Sequence, residues 1–465
     1  PERAPVPPLY PDTPTARRTM ARVHDCITAM DKRVGELLAE LEREGLKDDT
    51  IVFFWSDHGQ GIPRGKRTLW DTGLKVPLLV HFPEKYRHLA PQPPGTTSDR
   101  LVSLMDLGPS LLSLLELPIP PYMHGRAFLG KNAAPPREYV FGARDRVDEV
   151  LELSRSVRDK RYLYIRNFMP DLSWNQPETY SDQLELRREI TKLAAEGKLN
   201  ADQLTYAAPT KPPEELYDTE TDPWQVKNLA GDPQHANTLE RLRKTLRDWQ
   251  LETRDLGMMH EWQAAKLSAE TGLPLVEAAR NLPLERILDT AWRVGLKGQV
   301  SEFTVRLSDP DPTVRYWAAI GLRVAGAEAK RAKAALLKAL DDESLPVRVE
   351  SACVLVKQFD DRKALERLAA VLACGDDNAA LHAARTLELL GKQALPVVRA
   401  MREGLLRTQN MYVRWSLQNA IAALTNSSRP PLKTRRAPSR PATGESVQGN
   451  GNTLIRIVYR QPQTN

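Results

Sequence analysis

The sequence predicts an α/β region followed by an all-α repeat region, on three observations. Two short apolar runs, residues 51–55 and 76–80, are bounded by Gly and Pro and enclose a polar loop, the pattern of buried strands rather than helices. Residues 156–166 alternate in the manner of a hairpin, with Asp159-Lys160 at the turn. From about Leu282 the texture shifts to Ala and Leu, and a short anchor recurs, as Val-Arg at Val314, Val347 and Val413 and in degenerate form at Ala379, spaced by 33, 32 and 34 residues. That period, with two helices per unit, is similar to HEAT-type repeats.

The front half reads in order as follows. Residues 1–15 are Pro-rich and extended, with turn chemistry at Tyr10-Pro-Asp-Thr-Pro14. Residues 18–44 carry Val23, Ile27, Met30, Val34, Leu37, Leu38 and Leu41 at helical spacing, and Gly45 closes the helix. His24 lies on that helix as a surface residue. The first strand then ends in Ser56-Asp57-His58-Gly59, an acid and an imidazole at the carboxyl end of a strand, where parallel α/β sheets place their ligands. A basic loop with Gly65-Lys66-Arg67 follows, and then the second strand. Residues 83–98 form a Pro-rich loop and residues 100–115 a second helix with Leu101, Leu104, Leu107, Leu111, Leu112 and Leu115 near one face. Residues 139–143 form a strand leading to the charged loop Arg144-Asp145-Arg146-Val147-Asp148-Glu149, and a helix spans 237–253. In the repeats, Asp-Pro caps the helices, Val and Ala enter the stack, and Arg faces the adjacent unit. Residues 426–450 are rich in Ser, Pro, Arg and Gly and read as disordered, with a lone strand expected at 454–459.

Composition narrows the classes. A chain of 465 residues suits two or three domains, and 41% apolar with 27% charged residues is ordinary for a globular protein. No run of eighteen apolar residues exists, so no membrane span is expected. The net charge of +6 owes much to the tail, at Lys433, Arg435, Arg436 and Arg440. Nucleic acid is therefore not expected as a partner, and an anionic glycan suits the charge equally well. Cys26, Cys353 and Cys374 fall in no metal or redox spacing and read as buried small hydrophobes.

Ser56-Asp57-His58-Gly59, with Gly65-Lys66 nine residues beyond Asp57, resembles the sulfatase family of the alkaline-phosphatase-like superfamily. The onward spacing to Gly73 and Pro77 is similar to the heparan N-sulfatase branch. The segment 100–115, Gly125-Arg126, and Glu214-Glu-Leu-Tyr217-Asp218 with Asn228-Leu-Ala extend the likeness over about residues 1–261. The resemblance implies the C-terminal part of a sulfatase sandwich at 1–135, a small antiparallel subdomain at 136–265, HEAT-like repeats at 282–425 and a tail at 426–465. It implies that Asp57 and His58 are late metal ligands and that Lys66 is the catalytic, sulfate-binding residue, with Arg67 pointing away. Calcium is the family's usual ion, with manganese, magnesium or zinc as alternatives because His58 stands where many members have Asn. Arg144, Asp145 and Arg146 would line the substrate pocket, where two Arg suit a carboxylate or a second sulfate. A solvated salt-bridge cluster is the competing reading of that loop.

The family takes its nucleophile from a Cys or Ser in Cys/Ser-x-Pro-x-Arg near its N-terminus; none of the three Cys here has Pro two residues on, and no Ser in the front half supplies the motif. The expectation is thus the C-terminal part of a larger sulfatase acting on sulfated carbohydrate, inactive by itself and exported to the periplasm or outside the cell. Two alternatives stand beside it: a metal-dependent phosphatase or phosphodiesterase of the same superfamily, and a non-catalytic protein that binds a protein partner through its repeats.

Overall fold

The computed structural model describes residues 1–427, so nearly all of the expected tail and the strand expected at 454–459 lie outside the described residues. The described chain forms two compact units. One comprises Pro1–Ala29, Ser56–Val76 and the chain from Glu138 onward; the other comprises Met30–Trp55 and Pro77–Arg137. The first helix, Pro14–Arg43, runs from one unit into the other.

The smaller unit holds strands β1 (Val52–Trp55) and β2 (Leu78–His81), which pair antiparallel with Val52 opposite His81 and Trp55 opposite Leu78. Phe53, Leu78 and Val80 pack with Phe82, Phe128 and Leu129. The expectation of buried parallel strands is corrected here: among the described residues the two strands pair only with each other, and Trp55 and Leu79 stay exposed. A continuous apolar run shows that a strand avoids water, but it does not show which neighbours or how many cover it. The helix expected at 100–115 begins later. A 3-10 turn covers Leu104–Asp106 and the α-helix covers Leu107–Leu114. Ser103 and Asp106 form a capping box, which fixes that start. Asp106 is buried and also accepts from the backbone of Arg126 (2.7 Å) and from Arg137, so one carboxylate ties the helix entry to two loops. The Pro-rich loop at 83–98 contains a 3-10 helix, Glu84–Leu89.

The larger unit is built on a four-stranded antiparallel sheet in the order β3 (Val140–Arg144), β4 (Ser154–Arg158), β5 (Tyr162–Asn167), β6 (Glu214–Asp218). The expected hairpin is present. Asp159 closes it by accepting from the backbone N–H of Arg161 and Tyr162 at 2.8 and 2.6 Å. Alternation then sorts the side chains. Val157, Tyr164 and Leu216 face the helix Ala236–Glu252 through Leu242 and Leu246. Leu163, Ile165 and Tyr217 face Trp70, Trp174, Leu186 and Ile190. Leu9, Tyr10, Ala16 and Met20 join this second face, so the Pro-rich start is part of a core rather than a linker. Proline content limits backbone shape but leaves Leu and Tyr free to be buried.

Helices fill the region from Leu284 to Thr425. Asp311, Asp376 and Asn410 each cap a helix by accepting two backbone N–H groups, as the repeat anchor implies. Arg315 reaches Asp342 in the next unit with two bonds at 2.7 and 2.9 Å. The helices share one core with the sheet region. Phe168 meets Trp292 and Trp317 edge-on, each at 5.8 Å, and the Trp317 indole donates to the Met258 carbonyl at 2.8 Å. Cys353 is buried, but Cys26 and Cys374 are exposed, which corrects the expectation for those two; all three are free thiols. Cys26 lies on the solvent side of its helix, and Cys374 sits in a loop past the end of one. No helix of the described residues is long and apolar enough to cross a membrane.

Candidate active-site loop

Residues 56–73 fold back on themselves and hold Asp57, His58 and Lys66 on one loop. The Gly59 N–H donates to the Gly73 carbonyl at 2.9 Å, and the Lys66 N–H donates to the Gln60 carbonyl at 2.7 Å. Both closures need glycine. A Cβ at Gly59 would collide with the Thr72 carbonyl oxygen, and one at Gly65 with the Gln60 carbonyl oxygen. Thr68 and Thr72 cap the Arg64 carbonyl from within the loop.

The loop is anchored from far along the chain. Arg64 is 1% exposed, lies 4.1 Å from the centre of the Trp70 ring, and donates to the carbonyls of Trp224 and Gln225. Burial pulls its guanidinium below the usual arginine range, against the pull of Tyr217 and Glu215. The Gln225 side chain accepts from the Asp71 N–H at 2.8 Å. Behind Trp70 lies Glu215, which accepts from Trp70 (3.2 Å), Trp174 (3.0 Å), Asn167 (2.6 Å) and Tyr217 (2.7 Å). Four donors explain how a carboxylate tolerates that burial. The sequence reading missed Arg64 altogether. Its only signal was position, between Pro63 and Gly65 in a loop that has to be rigid.

On this support the working side chains stay open. The Asp57 side chain is 82% exposed and Lys66 is exposed. His58 Nδ1 lies 2.8 Å from the Gly59 carbonyl oxygen, which can only accept, so a neutral ring carries its hydrogen there and leaves a lone pair on Nε2. That Nε2 is 3.4 Å from Asp57 Oδ2. With the ring neutral, two acceptor atoms stand side by side, the arrangement of two donors flanking one cation. Among the described residues no group of three or more His, Cys, Asp or Glu is placed to hold a metal. The pair fits part of a coordination shell, since calcium takes 6–8 oxygen ligands and a zinc or manganese shell also needs more than two.

The second candidate region, residues 144–149, is less open than its charge suggests. Arg144 is buried, with its guanidinium 5.1 Å from the centre of the Trp174 ring. Burial lowers its pKa, with Glu152 opposing. Asp145 pairs with Arg155 at 2.7 Å, and burial raises its pKa against that pairing. Arg146 is held by both oxygens of Glu261, at 2.6 and 2.9 Å. Arg67 pairs with Asp148 at 2.8 Å and with Glu178, and so joins the two candidate regions.

Residues 5–117 match the sulfatase family model. The chain is 40% identical to an ulvan-active sulfatase of Formosa agariphila, over 52% of this chain and 40% of that one. It is 33% identical to the human N-sulphoglucosamine sulphohydrolase, over 54% of this chain and 51% of that one. It thus spans about half the length, or less, of these sulfatases. A solved protein in complex with its substrate D-glucosamine-2-N,6-O-disulfate aligns with a TM-score of 0.33 at 18% identity, over 50% of this chain and 40% of that one, too distant a likeness to place any residue. The sulfatase match contains the whole loop 56–73 and stops short of residues 144–149.

Proposed function

We propose that this chain carries the late metal ligands and the sulfate-binding lysine of a sulfatase, a sulfuric ester or sulfamate hydrolase acting on sulfated carbohydrate. The observation that carries the reading is the His58–Asp57 pair, an imidazole nitrogen and a carboxylate oxygen 3.4 Å apart on a loop whose backbone is fixed by Gly59, Gly65 and Arg64. Asp57 and His58 would hold a divalent ion, calcium first, with manganese, magnesium or zinc as alternatives. When bound, such an ion neutralises charge on the sulfate oxygens. Lys66, solvent-open and held on the same loop, would place a point charge on the sulfate as the leaving oxygen takes up negative charge. The imidazole also suits the transition metals of related phosphatases, which keeps phosphate-ester hydrolysis as the second reading.

The same reading assigns residues 1–135 to the catalytic domain, 136–265 to a subdomain and 282–425 to HEAT-like repeats whose exposed face would receive a protein partner. A periplasmic or extracellular location accompanies it. Arg144, Asp145 and Arg146 would shape the sugar pocket from the side, since each is already paired or buried within the protein.

The test is made in the full-length protein. Asp57→Ala should lower both bound metal, read by elemental analysis, and sulfate release. Lys66→Ala should keep its metal and lose about a few hundredfold in kcat, the effect of removing one charge-stabilising contact. An Asp57→Ala protein with full metal content and full activity would place the site elsewhere.

A further inference from the structure

A cleft where the helices meet the 144–149 loop contains buried polar atoms without partners. It is lined by Arg146 and Glu149 on one side and by His260, Tyr316, His382 and Arg385 on the other. Its formal charges other than that of Glu149 are matched inside the protein. Arg146 is taken by Glu261, Arg385 by Glu388 at 2.7 Å, and Glu152 by Lys211 at 2.7 Å. Glu350 is taken by Arg323 and by His382 Nε2 at 2.9 Å. Three atoms remain unpaired: Glu149 Oε2, Arg385 Nε and His382 Nδ1. All three residues are at least nine-tenths buried.

We propose that this cleft binds the uncharged, hydroxyl-bearing edge of a sugar residue; that the ligand is a sugar rests on the glycan reading above. Glu149 Oε2 can only accept and Arg385 Nε can only donate. His382 Nε2 holds the Glu350 carboxylate, and its Nδ1 accepts in the neutral ring and donates in the protonated one. A hydroxyl both donates and accepts, and neighbouring hydroxyls on a ring satisfy such a mixed set. A sulfate or carboxylate only accepts, and it would face the lone pairs of Glu149 Oε2. The walls add ring faces. His260 stacks on His382 at 4.7 Å and meets Tyr316 edge-on at 5.3 Å. His260 Nδ1 is occupied by the Trp262 N–H, and burial together with His382 and Arg146 keeps its pKa well below the usual range, so this wall is uncharged. The cleft is small and half open, which suits one edge of a pyranose rather than an oligosaccharide. The site would thus seat an unsulfated edge of the glycan and turn away its charged groups.

The experiment is a binding titration of the full chain with methyl α-glucoside, and in parallel with methyl glucuronide and inorganic sulfate, followed by calorimetry or ligand-observed NMR. Saturable binding of the neutral glycoside is expected, with a Kd on the order of millimolar and at least about tenfold tighter than for either anion. Glu149→Gln, which turns the free acceptor into a donor, should weaken it by about tenfold or more. Asn378→Trp, which fills the mouth of the cleft and leaves the three atoms untouched, should do the same in a protein with an unchanged melting temperature. No saturable binding would mean that trapped water satisfies these atoms and would overturn the proposal. So would equal binding of sulfate, or glycoside binding unchanged in Asn378→Trp. No hydrolysis is measured, so loss of the sulfatase reading and loss of this site are separate outcomes.

Discussion

Residues 56–73 and the sheet–helix centre around Glu152, Glu350 and His382 handle charge in opposite ways. The loop buries its backbone support and leaves Asp57 and Lys66 in water, unmatched by the protein itself. The centre buries its charged groups outright and matches each with a fixed partner: Lys211 with Glu152 at 2.7 Å, and Arg323 between Asp171 at 2.9 Å and Glu350 at 2.8 Å. Water supports an exposed charge whether or not a ligand is present, so exposed groups are free to bind and release. A buried charge deprived of its partner has nothing to replace it. The difference separates groups left available to a ligand from groups kept for architecture.

The sharpest way to break this comparison is to remove one buried partner. Glu152→Leu leaves the Lys211 ammonium inside the protein with only the carbonyls of Met169 and Leu172. A loss of about 3–5 kcal/mol in unfolding free energy is expected, read by denaturant melts. A loss below about 1 kcal/mol would show that Lys211 had found water, and the centre would be less closed than described.

Acid tests the same region more gently. Burial opposes ionisation of Glu350, yet Arg323 and His382 hold its pKa at about 2, against 4.5 for a free glutamate. A depressed folded-state pKa gives stability that is complete above the unfolded value and is lost as pH falls towards the folded one. The stability gap between the native protein and Glu350→Gln should therefore hold from pH 7 to about pH 5 and shrink by pH 3. A gap that stays constant down to pH 3 would remove the ion-pair account.

The smallest effect belongs to the loop. Asp57→Ala and Lys66→Ala should each change unfolding stability by no more than about 0.5 kcal/mol, because neither side chain is buried. A larger loss in either would make that residue structural and dissolve the contrast.

The sequence showed the loop better than its supports. The placement of Asp57, His58 and Lys66 on one loop was legible because they follow an apolar run at a short, ordered spacing. The hairpin and the helix caps were legible because local chemistry sets them, as Asp159 and Asp311 show. The antiparallel pairing of β1 with β2 was not legible, since apolar runs carry no direction. Nor was the stitching of Trp317 to Met258, or of Arg64 to Trp224, because such contacts join residues 59 and 160 positions apart and leave no local pattern. The burial of Arg144 was hidden for a related reason: a run of charged letters looks solvated until Trp174 is seen to cover one of them.

The long reach of Arg64 also sets a timetable for the newly made chain. Its carbonyl partners lie 160 and 161 residues later, and the Glu215 that holds Trp70 lies 145 residues later. At about 5–20 residues per second, the ribosome needs roughly 8–30 s to deliver them after residue 64 is joined. Throughout that interval the strand before the loop can pair with the strand after it, but the loop between them lacks its clamp and Trp70 lacks its cover. The loop of residues 56–73 is thus among the last parts of this region to take its shape during synthesis, and a stalled chain shorter than about residue 225 would display it unformed.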